Sequence, residues 1–232
     1  MKIRARFTKL GRVRFTSHRD VARMWERALR QCRVPVAYTA GFTPRPQLSF
    51  GLALPTGCES EAEYLDVVLS EDVDHDDTAH ALDAAMPEGV DVVGVVVLVP
   101  GVRSLQEDVS SCEWTITVPG TGVDRLTEAI DRTLAATRLE LTRERKGRAV
   151  TDDIRPSVRA LRCAADTAHG TRLVAELGTR PRGVRPAELA EAMGLEFGVA
   201  RRTCQWIEHD GSRREPLAAL PAGAGAVALR AS

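Results

Sequence analysis

The amino-terminal segment joins a strand pattern to a helix pattern. Apolar and charged residues alternate over residues 2–7, which is typical of a strand with one buried face. Apolar residues then recur every three or four positions over 21–32, the spacing that places them on one side of a helix. Ser17 precedes this run and Asp20 follows three residues later, which indicates a capped helix start, and Pro35 ends the helix.

The same periodicities predict two rounds of a β-α-β-β-α-β order. The first round has predicted strands at 2–7, 12–16, 36–39, 48–54, 64–69 and 90–99, and helices at 17–32 and 78–86. The second round has predicted strands at 113–118, 139–142, 157–164, 172–177 and 201–208, and helices at 123–136 and 186–193.

These element orders predict an α+β fold of two tandem ferredoxin-like units with antiparallel sheets. The predicted domains are residues 1–100 and 111–208, joined by a linker over 100–111. The end of the chain is rich in Ala, Gly and Pro and lacks periodicity. It therefore predicts a disordered tail over 209–232.

Charge is segregated along a chain whose formal net charge is zero. Residues 1–50 hold twelve Lys and Arg against two acids, whereas residues 51–100 hold twelve acids and no Lys or Arg. A basic block of this density indicates a polyanion or an acidic protein surface as partner. The five cysteines are dispersed and form no metal or cluster motif, so we predict no metal and no cofactor. Together with a charged amino terminus they indicate a soluble cytoplasmic protein without a membrane segment.

Arginines cluster on one side of the predicted first helix. At about 100° per residue they fall within about a third of the helical wheel, opposite the apolar side. We interpret this side as a surface that binds a phosphate backbone or an acidic protein. Two alternatives stay open, namely a solvated surface without a partner and internal pairing with the acidic segment 59–91. The arginines are Arg19, Arg23, Arg27, Arg30 and Arg33.

The start of this helix also holds a candidate catalytic group. Ser17 and Asp20 are explained by helix capping, which leaves His18 at the first helical position. An imidazole beside arginines is a candidate general acid/base or phosphate contact.

Three glutamates at alternating positions would share one face of a strand. We interpret them as a row at a sheet edge or as counter-charges to the helix arginines, in preference to a metal site. They are Glu59, Glu61 and Glu63.

A proline-stiffened loop follows the helix as a second candidate binding element. Pro44 and Pro46 fix the backbone on both sides of Arg45, and Gly41 permits a positive φ or the close approach of a ligand. Phe42 is a candidate to stack on a nucleobase, the alternative being a structural turn with Phe42 in the core.

A second basic loop is predicted over residues 143–153. Its Lys146 and Arg148 are further candidates for binding nucleic acid or a partner. They would extend the first basic surface if the two halves of the chain face each other.

One run of motifs matches a known family. The run comprises Arg14-Phe15-x-Ser17-His18-x-Asp20-x-x-Arg23, Glu26-Arg27-Ala28-Leu29-Arg30, Pro35, Tyr38, Gly41-Phe42-x-Pro44-x-Pro46, Gly57, Ser60 and Glu63-Tyr64-x-Asp66. It resembles the radical-SAM-associated domain family of unknown function, which occurs as a C-terminal extension of radical SAM proteins or as their separate companion. The chain departs from the family at Thr43 and Arg45, where Asn and His are usual, and at Arg19, where Leu is usual.

The resemblance implies a radical SAM protein as partner, with this chain as the accessory half. Combined with the basic helix and loop, it predicts an accessory protein that binds tRNA, ribosomal RNA or a ribonucleoprotein and presents it to the radical SAM enzyme. One alternative is an adaptor that docks an acidic surface of that enzyme. The other is a metal-independent ribonuclease that uses His18 as acid/base.

Overall fold

The computed structural model describes residues 1–145, 147–180 and 182–217. They form a mixed α+β fold with mostly antiparallel sheet and five α-helices. The described residues divide into two compact units, one comprising Met1–Val109 with the described residues from Ile207 onward, the other Ser110–Trp206. Among the described residues, no helix combines the length and the apolar character needed to cross a membrane.

The first unit follows the predicted alternation of strands and helices. Its elements are β1 (Lys2–Lys9), α1 (His18–Gln31), β2 (Leu48–Phe50), β3 (Glu59–Val68), α2 (His75–Ala85), β4 (Val92–Val97) and α3 (Leu105–Asp108). β1 pairs with β3 and with β4, and β2 pairs with β3, each pair being antiparallel. The strand order in this unit is therefore β4-β1-β3-β2.

The core of the first unit lies between this sheet and the two long helices. Strand alternation directs Ile3, Ala5 and Phe7 of β1 to the same side. The Trp25 indole of α1 meets Phe7 edge to face, with the ring centroids 5.1 Å apart, and Leu82 of α2 joins the same cluster. The predicted apolar side of the first helix is confirmed as its buried side.

The capped start of α1 is confirmed. Ser17 Oγ accepts a hydrogen bond from the Asp20 backbone N–H at 3.2 Å, and the Asp20 carboxylate accepts one from the Ser17 backbone N–H at 3.3 Å. These reciprocal bonds form a capping box. The helix ends at Gln31, and Arg33 adopts a positive φ of 54° beyond it. The prediction that placed Arg33 on the helical wheel is therefore wrong.

The opposite side of β1 carries a buried ion pair. Arg4 Nε lies 2.6 Å from Asp66 Oδ1, and Arg4 Nη2 lies 3.0 Å from Oδ2, with both side chains at most 2% exposed. The Lys2 ammonium adds a third contact, 3.0 Å from Oδ2. Arg4 Nη1 also donates to the Pro216 carbonyl at 3.3 Å, so the pair ties the last described part of the chain to β1.

Two predicted strands of the first unit have other structures. Residues 12–16 overlap a 3-10 helix, Gly11–Phe15, because Gly11 at a φ of 64° turns the chain directly after β1. Residues 36–39 form two isolated bridges instead of a strand, from Val36 to Leu69 and from Tyr38 to Pro46. Pro46 has no N–H with which to extend the second bridge into a ladder.

The second unit repeats the alternation and adds a hairpin. Its elements are β5 (Val109–Val118), α4 (Val123–Ala135), β6 (Glu140–Arg145), β7 (Arg148–Asp153), β8 (Val158–Thr167), β9 (Gly170–Gly178), α5 (Pro186–Met193) and β10 (Ala200–His209). The main sheet has the order β10-β5-β9-β8, and β6 pairs with β7 alone. The basic loop predicted over 143–153 is therefore a β-hairpin, and the predicted linker over 100–111 contains α3 and the start of β5.

The segment predicted as a tail begins with ordered structure. β11 (Ser212–Arg214) pairs antiparallel with the last residues of β10. The Glu215 carboxylate lies 2.6 Å from the Arg6 guanidinium. The prediction that disorder starts at 209 is therefore wrong, and residues 218–232 of the predicted tail lie outside the described residues.

Three exposed carboxylates accept hydrogen bonds that favour their charged form. The Ser17 hydroxyl, followed by the Ser17 backbone N–H, lowers the pKa of Asp20 below its ordinary value of 3.8. Backbone N–H donors likewise lower the pKa of Asp74, which caps α2, and of Asp153 at the end of β7. Between the folded and unfolded pKa values the unfolded chain binds more protons, so stability falls as the pH drops below about 3.8.

We therefore expect Asp74→Asn to lower the free energy of unfolding at neutral pH and to leave it unchanged well below pH 3.8. Asn also caps helices, so the difference in unfolding free energy between the wild-type chain and Asp74→Asn reports the effect of the carboxylate charge. Urea unfolding of the wild-type chain and of Asp74→Asn at both pH values measures it. A difference of the same size at both pH values would contradict this assignment.

Candidate functional site

The exposed side of α1 carries a row of arginines that we call the arginine face. All four side chains are exposed. Among the residues that the structure describes, their one ion pair joins Arg23 to Asp20 at 3.5 Å. The helix is about 21 Å long at 1.5 Å per residue, so the positive charges extend along one side of it. The face consists of Arg19, Arg23, Arg27 and Arg30.

The acidic segment 59–91 makes its contacts elsewhere. Asp66 is buried in the ion pair on β1. The Glu59 carboxylate lies 3.5 Å from the Arg14 guanidinium, and Asp74 caps α2. Across residues 1–145, 147–180 and 182–217, none of these acids pairs with the arginine face. Internal pairing is therefore wrong for the arginine face, although acids of this segment do pair with Lys2, Arg4 and Arg14 of the basic half. The interpretation of Glu59 as a counter-charge to the helix is wrong as well.

The proline-stiffened loop is closed by its own hydrogen bonds. Thr39 Oγ1 accepts from the Arg45 backbone N–H at 3.0 Å, and the Thr39 backbone N–H donates to the Arg45 carbonyl at 2.9 Å. Gly41 has a φ of 128°, which residues with a side chain rarely adopt. Phe42 is fully exposed, so the alternative that places it in the core is wrong.

His18 precedes the arginine face along the chain and the loop follows it. His18 is the first residue of α1. The chain leaves the other end of the helix, forms a bridge between Val36 and Leu69 just beyond the end of β3, and then enters the loop.

Exposed aromatic rings accompany the arginines in the first unit. Besides Phe42, Phe15 is 63% exposed and Tyr38 is 55% exposed. The Arg14 guanidinium lies over the Phe15 ring, 4.7 Å from its centroid. The sequence pointed to Phe42 alone as a stacking candidate, and the two further rings add apolar contact area beside the basic groups.

The second basic pair belongs to the other unit. Lys146 lies outside the described residues. Arg148 is an exposed residue at the start of β7. Its role in binding nucleic acid or a partner stays a prediction.

A recess opens beside the first turn of α1. It has a volume of about 30 Å³ and is lined by residues of α1, β1, β3 and the segment that follows β2. The His18 imidazole packs edge to face against Phe50, with the ring centroids 4.9 Å apart and the planes at 80°. His18 is therefore both the first residue of α1 and part of the wall of the recess.

Two opposite charges line the recess. Lys9 is 4% exposed, and its ammonium donates to the Thr16 carbonyl at 2.9 Å. Burial lowers the pKa of Lys9, and the Glu63 carboxylate acts in the opposite direction. Buried ionisable groups at the wall of a recess are frequent in functional sites. Among the described residues, no group of three or more His, Cys, Asp or Glu is arranged to hold a metal ion.

The sequence identified His18 but missed the other polar groups of the recess. Glu63 pairs with Phe7 across the sheet, a position on the helix-covered side where an apolar residue is usual. β3 is an inner strand of its sheet, so the interpretation of Glu63 as part of a sheet-edge row is wrong. The sequence signal for the recess was the single charge of Glu63 at a position that faces the core. That position can be recognised only when the register between β1 and β3 is known.

Comparison with known proteins gives a family and no activity. Residues 2–186 match the family described as an uncharacterized protein conserved in bacteria (DUF2344). No curated protein matches the chain. The matched residues include α1, the proline-stiffened loop and the recess, and they cover most of the 232 residues. The chain therefore belongs to this uncharacterised bacterial family.

Proposed function

We propose that this protein binds RNA through the arginine face. One observation carries the proposal: four exposed guanidinium groups share one side of a capped helix, and among the described residues Asp20 is their one ionic partner. Guanidinium groups match phosphate oxygens with two parallel hydrogen bonds. From Arg19 to Arg30 the row is about 16 Å long. Phosphates follow one another about every 3.4 Å in one strand of a duplex, so each arginine can reach its own phosphate.

Exposed aromatic rings favour RNA over an acidic protein surface. Phe42 is fully exposed in the proline-stiffened loop that follows α1 along the chain, and the exposed Phe15 lies three residues before the first residue of α1. Unpaired bases stack on such rings, whereas acidic side chains offer them no flat apolar partner. The ligand class that uses both kinds of group is single-stranded RNA or an RNA loop.

We infer an accessory role beside a radical SAM enzyme from the motif resemblance around α1 and the loop. In this proposal the chain holds tRNA, ribosomal RNA or a ribonucleoprotein while the partner performs the chemistry. The adaptor alternative uses the same arginine face toward an acidic protein. The ribonuclease alternative depends on His18 as acid/base.

We further propose that each unit is ferredoxin-like. The orders β4-β1-β3-β2 and β10-β5-β9-β8 are the same when strands are numbered within each unit, and two helices accompany each sheet. The β6-β7 hairpin would be an insertion in the second unit. This fold hosts many activities, so the functional proposal depends on the arginine face and not on the fold.

The test is the salt dependence of RNA binding by the full chain, measured by fluorescence anisotropy with a labelled short single-stranded RNA. Four phosphate contacts predict that the logarithm of the association constant falls against that of the salt concentration with a slope of about −3. Poly-glutamate of equal charge is the control. A slope near zero would contradict the proposal, and equal affinity for poly-glutamate would favour the adaptor.

A further inference from the structure

β4 is an edge strand, and its outer side is open. Among the residues that the structure describes it pairs with β1 alone, and it stands at one end of the strand order. Just beyond β4, the Leu98 N–H donates to the Lys2 carbonyl of β1 at 2.8 Å. Because the direction of the backbone groups alternates along a strand, the N–H and C=O groups of Val95 and Val97 point away from β1. They are therefore placed to bond a further strand.

β4 also lacks the residues that usually protect an edge strand. Its sequence is Val-Val-Gly-Val-Val-Val, which contains no charged residue and no Pro. Val93 within the strand and Val99 just beyond it are exposed. Proteins commonly protect an open edge with Lys, Pro or a covering element. An unprotected apolar edge has the features of a site for strand addition by a partner.

The chain around this edge is acidic. From residue 71 to residue 99 it holds eight acids and no Lys or Arg. α2 packs on β4, and the Asp83 carboxylate at its end accepts a hydrogen bond from the Val92 backbone N–H at 2.7 Å. The side chains of Asp77 on α2 and of Glu88 between α2 and β4 are exposed. Charge complementarity therefore favours a basic strand as the occupant.

The same charges argue against a second copy of this chain as the occupant. Two β4 strands that paired edge to edge would bring two α2 helices side by side, since α2 packs on β4. Both copies would contribute acids and no Lys or Arg from residues 71–99. Like charges that face each other disfavour association, so the acidic surroundings select a partner of the opposite charge.

We propose that the outer edge of β4 binds an extended, basic segment of a partner protein, which pairs with it as an additional strand. Backbone hydrogen bonds to Val95 and Val97 hold the segment, and its Lys or Arg side chains reach the acids on and beside α2. A segment that alternates apolar and basic residues fits best, because strand alternation puts all of its charges on one face. The inference is independent of the proposed RNA binding, since the arginine face has no part in it.

The experiment measures backbone hydrogen exchange by NMR in the isotope-labelled full chain. The probe is a short peptide of alternating Val and Lys at about millimolar concentration, as expected for a weak ligand. In the free chain the amides of Val95 and Val97 should exchange faster than the amide of Val96, which points toward β1. The peptide should slow exchange at Val95 and Val97 at least about tenfold.

Two control peptides separate strand pairing from charge. One carries N-methyl groups on its backbone nitrogens, which removes its hydrogen-bond donors. The other has Glu in place of Lys. Each should bind at least about fivefold more weakly than the first peptide, because each lacks one of the two proposed sources of affinity.

A change within β4 locates the site. Val97→Pro removes one outward N–H and keeps the N–H groups that point toward β1. It should weaken binding of the Val-Lys peptide at least about fivefold, whereas Val97→Thr retains the N–H and should bind like the wild-type chain. Circular dichroism checks that each variant folds, and the N-methylated peptide carries the test if Val97→Pro does not fold.

A change beside the strand tests the charges. Asp77→Asn with Glu88→Gln should weaken binding of the Val-Lys peptide about threefold at low salt. The matched control, Asp124→Asn with Glu128→Gln, removes the same charge from exposed positions on α4 and should leave binding unchanged.

Each contrary outcome overturns a stated part of the proposal. Slow exchange of Val95 and Val97 in the free chain means that the edge is already covered, and slowing that increases with protein concentration identifies a second copy as the occupant. Equal binding of the Val-Lys and N-methylated peptides overturns strand addition, and equal binding of the Val-Glu peptide overturns the basic partner. Failure of the Val-Lys peptide to slow exchange overturns the site. None of these outcomes affects the test of RNA binding.

Discussion

Replacing the four residues of the arginine face with Gln is expected to weaken RNA binding about a thousandfold at roughly 50 mM salt. Each phosphate contact on a single strand contributes about 0.7 to the slope of log affinity against log salt, so four contacts account for nearly the whole slope. Gln has nearly the helix propensity of Arg, so α1 should keep its structure. Anisotropy titrations at several salt concentrations measure the loss and the flattening of the slope.

A pair of arginines on another helix gives the matched control. Arg125 and Arg132 are exposed on α4, and their replacement with Gln removes the same charge as Arg23→Gln with Arg27→Gln. We expect the α1 pair to weaken binding at least about tenfold and the α4 pair to weaken it about twofold. Equal losses in the two pairs would mean that net charge matters and the arginine face does not.

Asp66→Ala is expected to destabilise the protein by about 3–5 kcal/mol, the usual effect of removing one partner of a buried ion pair. The Arg4 guanidinium is 1% exposed and makes two contacts to the Asp66 carboxylate, of 2.6 and 3.0 Å. Without the carboxylate, that charge stays in the interior with the Pro216 carbonyl as an acceptor at 3.3 Å. Urea unfolding of the wild-type and variant chains measures the difference.

The double replacement Arg4→Met with Asp66→Leu is the control for this prediction. It removes both charges and fills their place with apolar side chains, and replacing a buried ion pair by apolar residues is often neutral or stabilising. We expect it to recover most of the stability that Asp66→Ala loses. A loss below about 1 kcal/mol for Asp66→Ala would show that the carboxylate has little part in holding Arg4 in place.

The elements that the sequence predicted well are those with local signals. Ser17 and Asp20 predict the start of α1. The helical spacing of the apolar residues around Trp25 predicts its buried side. The exposure of the arginine face followed from the same spacing, because residues opposite a buried stripe face solvent. Helices of this kind are predictable because each signal lies within a few residues of the structure that it determines.

The elements that were missed depend on partners far along the chain. The start of β6 was predicted as a strand, but the rest of the β6-β7 hairpin was predicted as a loop because most of its residues are polar and Leu141 is one of few that are buried. The residues of β11 were predicted to belong to the disordered tail, and they form a strand because they pair with β10. The recess likewise needed the register that sets Glu63 opposite Phe7, which no local pattern in the sequence contains.

The most direct test of the central claim is ultraviolet crosslinking of the wild-type chain to a pool of short RNA, followed by mass spectrometry of the adducts. The account predicts adducts in the peptides that contain Phe15 and Phe42, two exposed rings that precede and follow α1 along the chain. It also predicts that these adducts disappear when the four arginines are replaced with Gln. Adducts confined to Ser110–Trp206, or adducts that persist in the four-arginine variant, would contradict it.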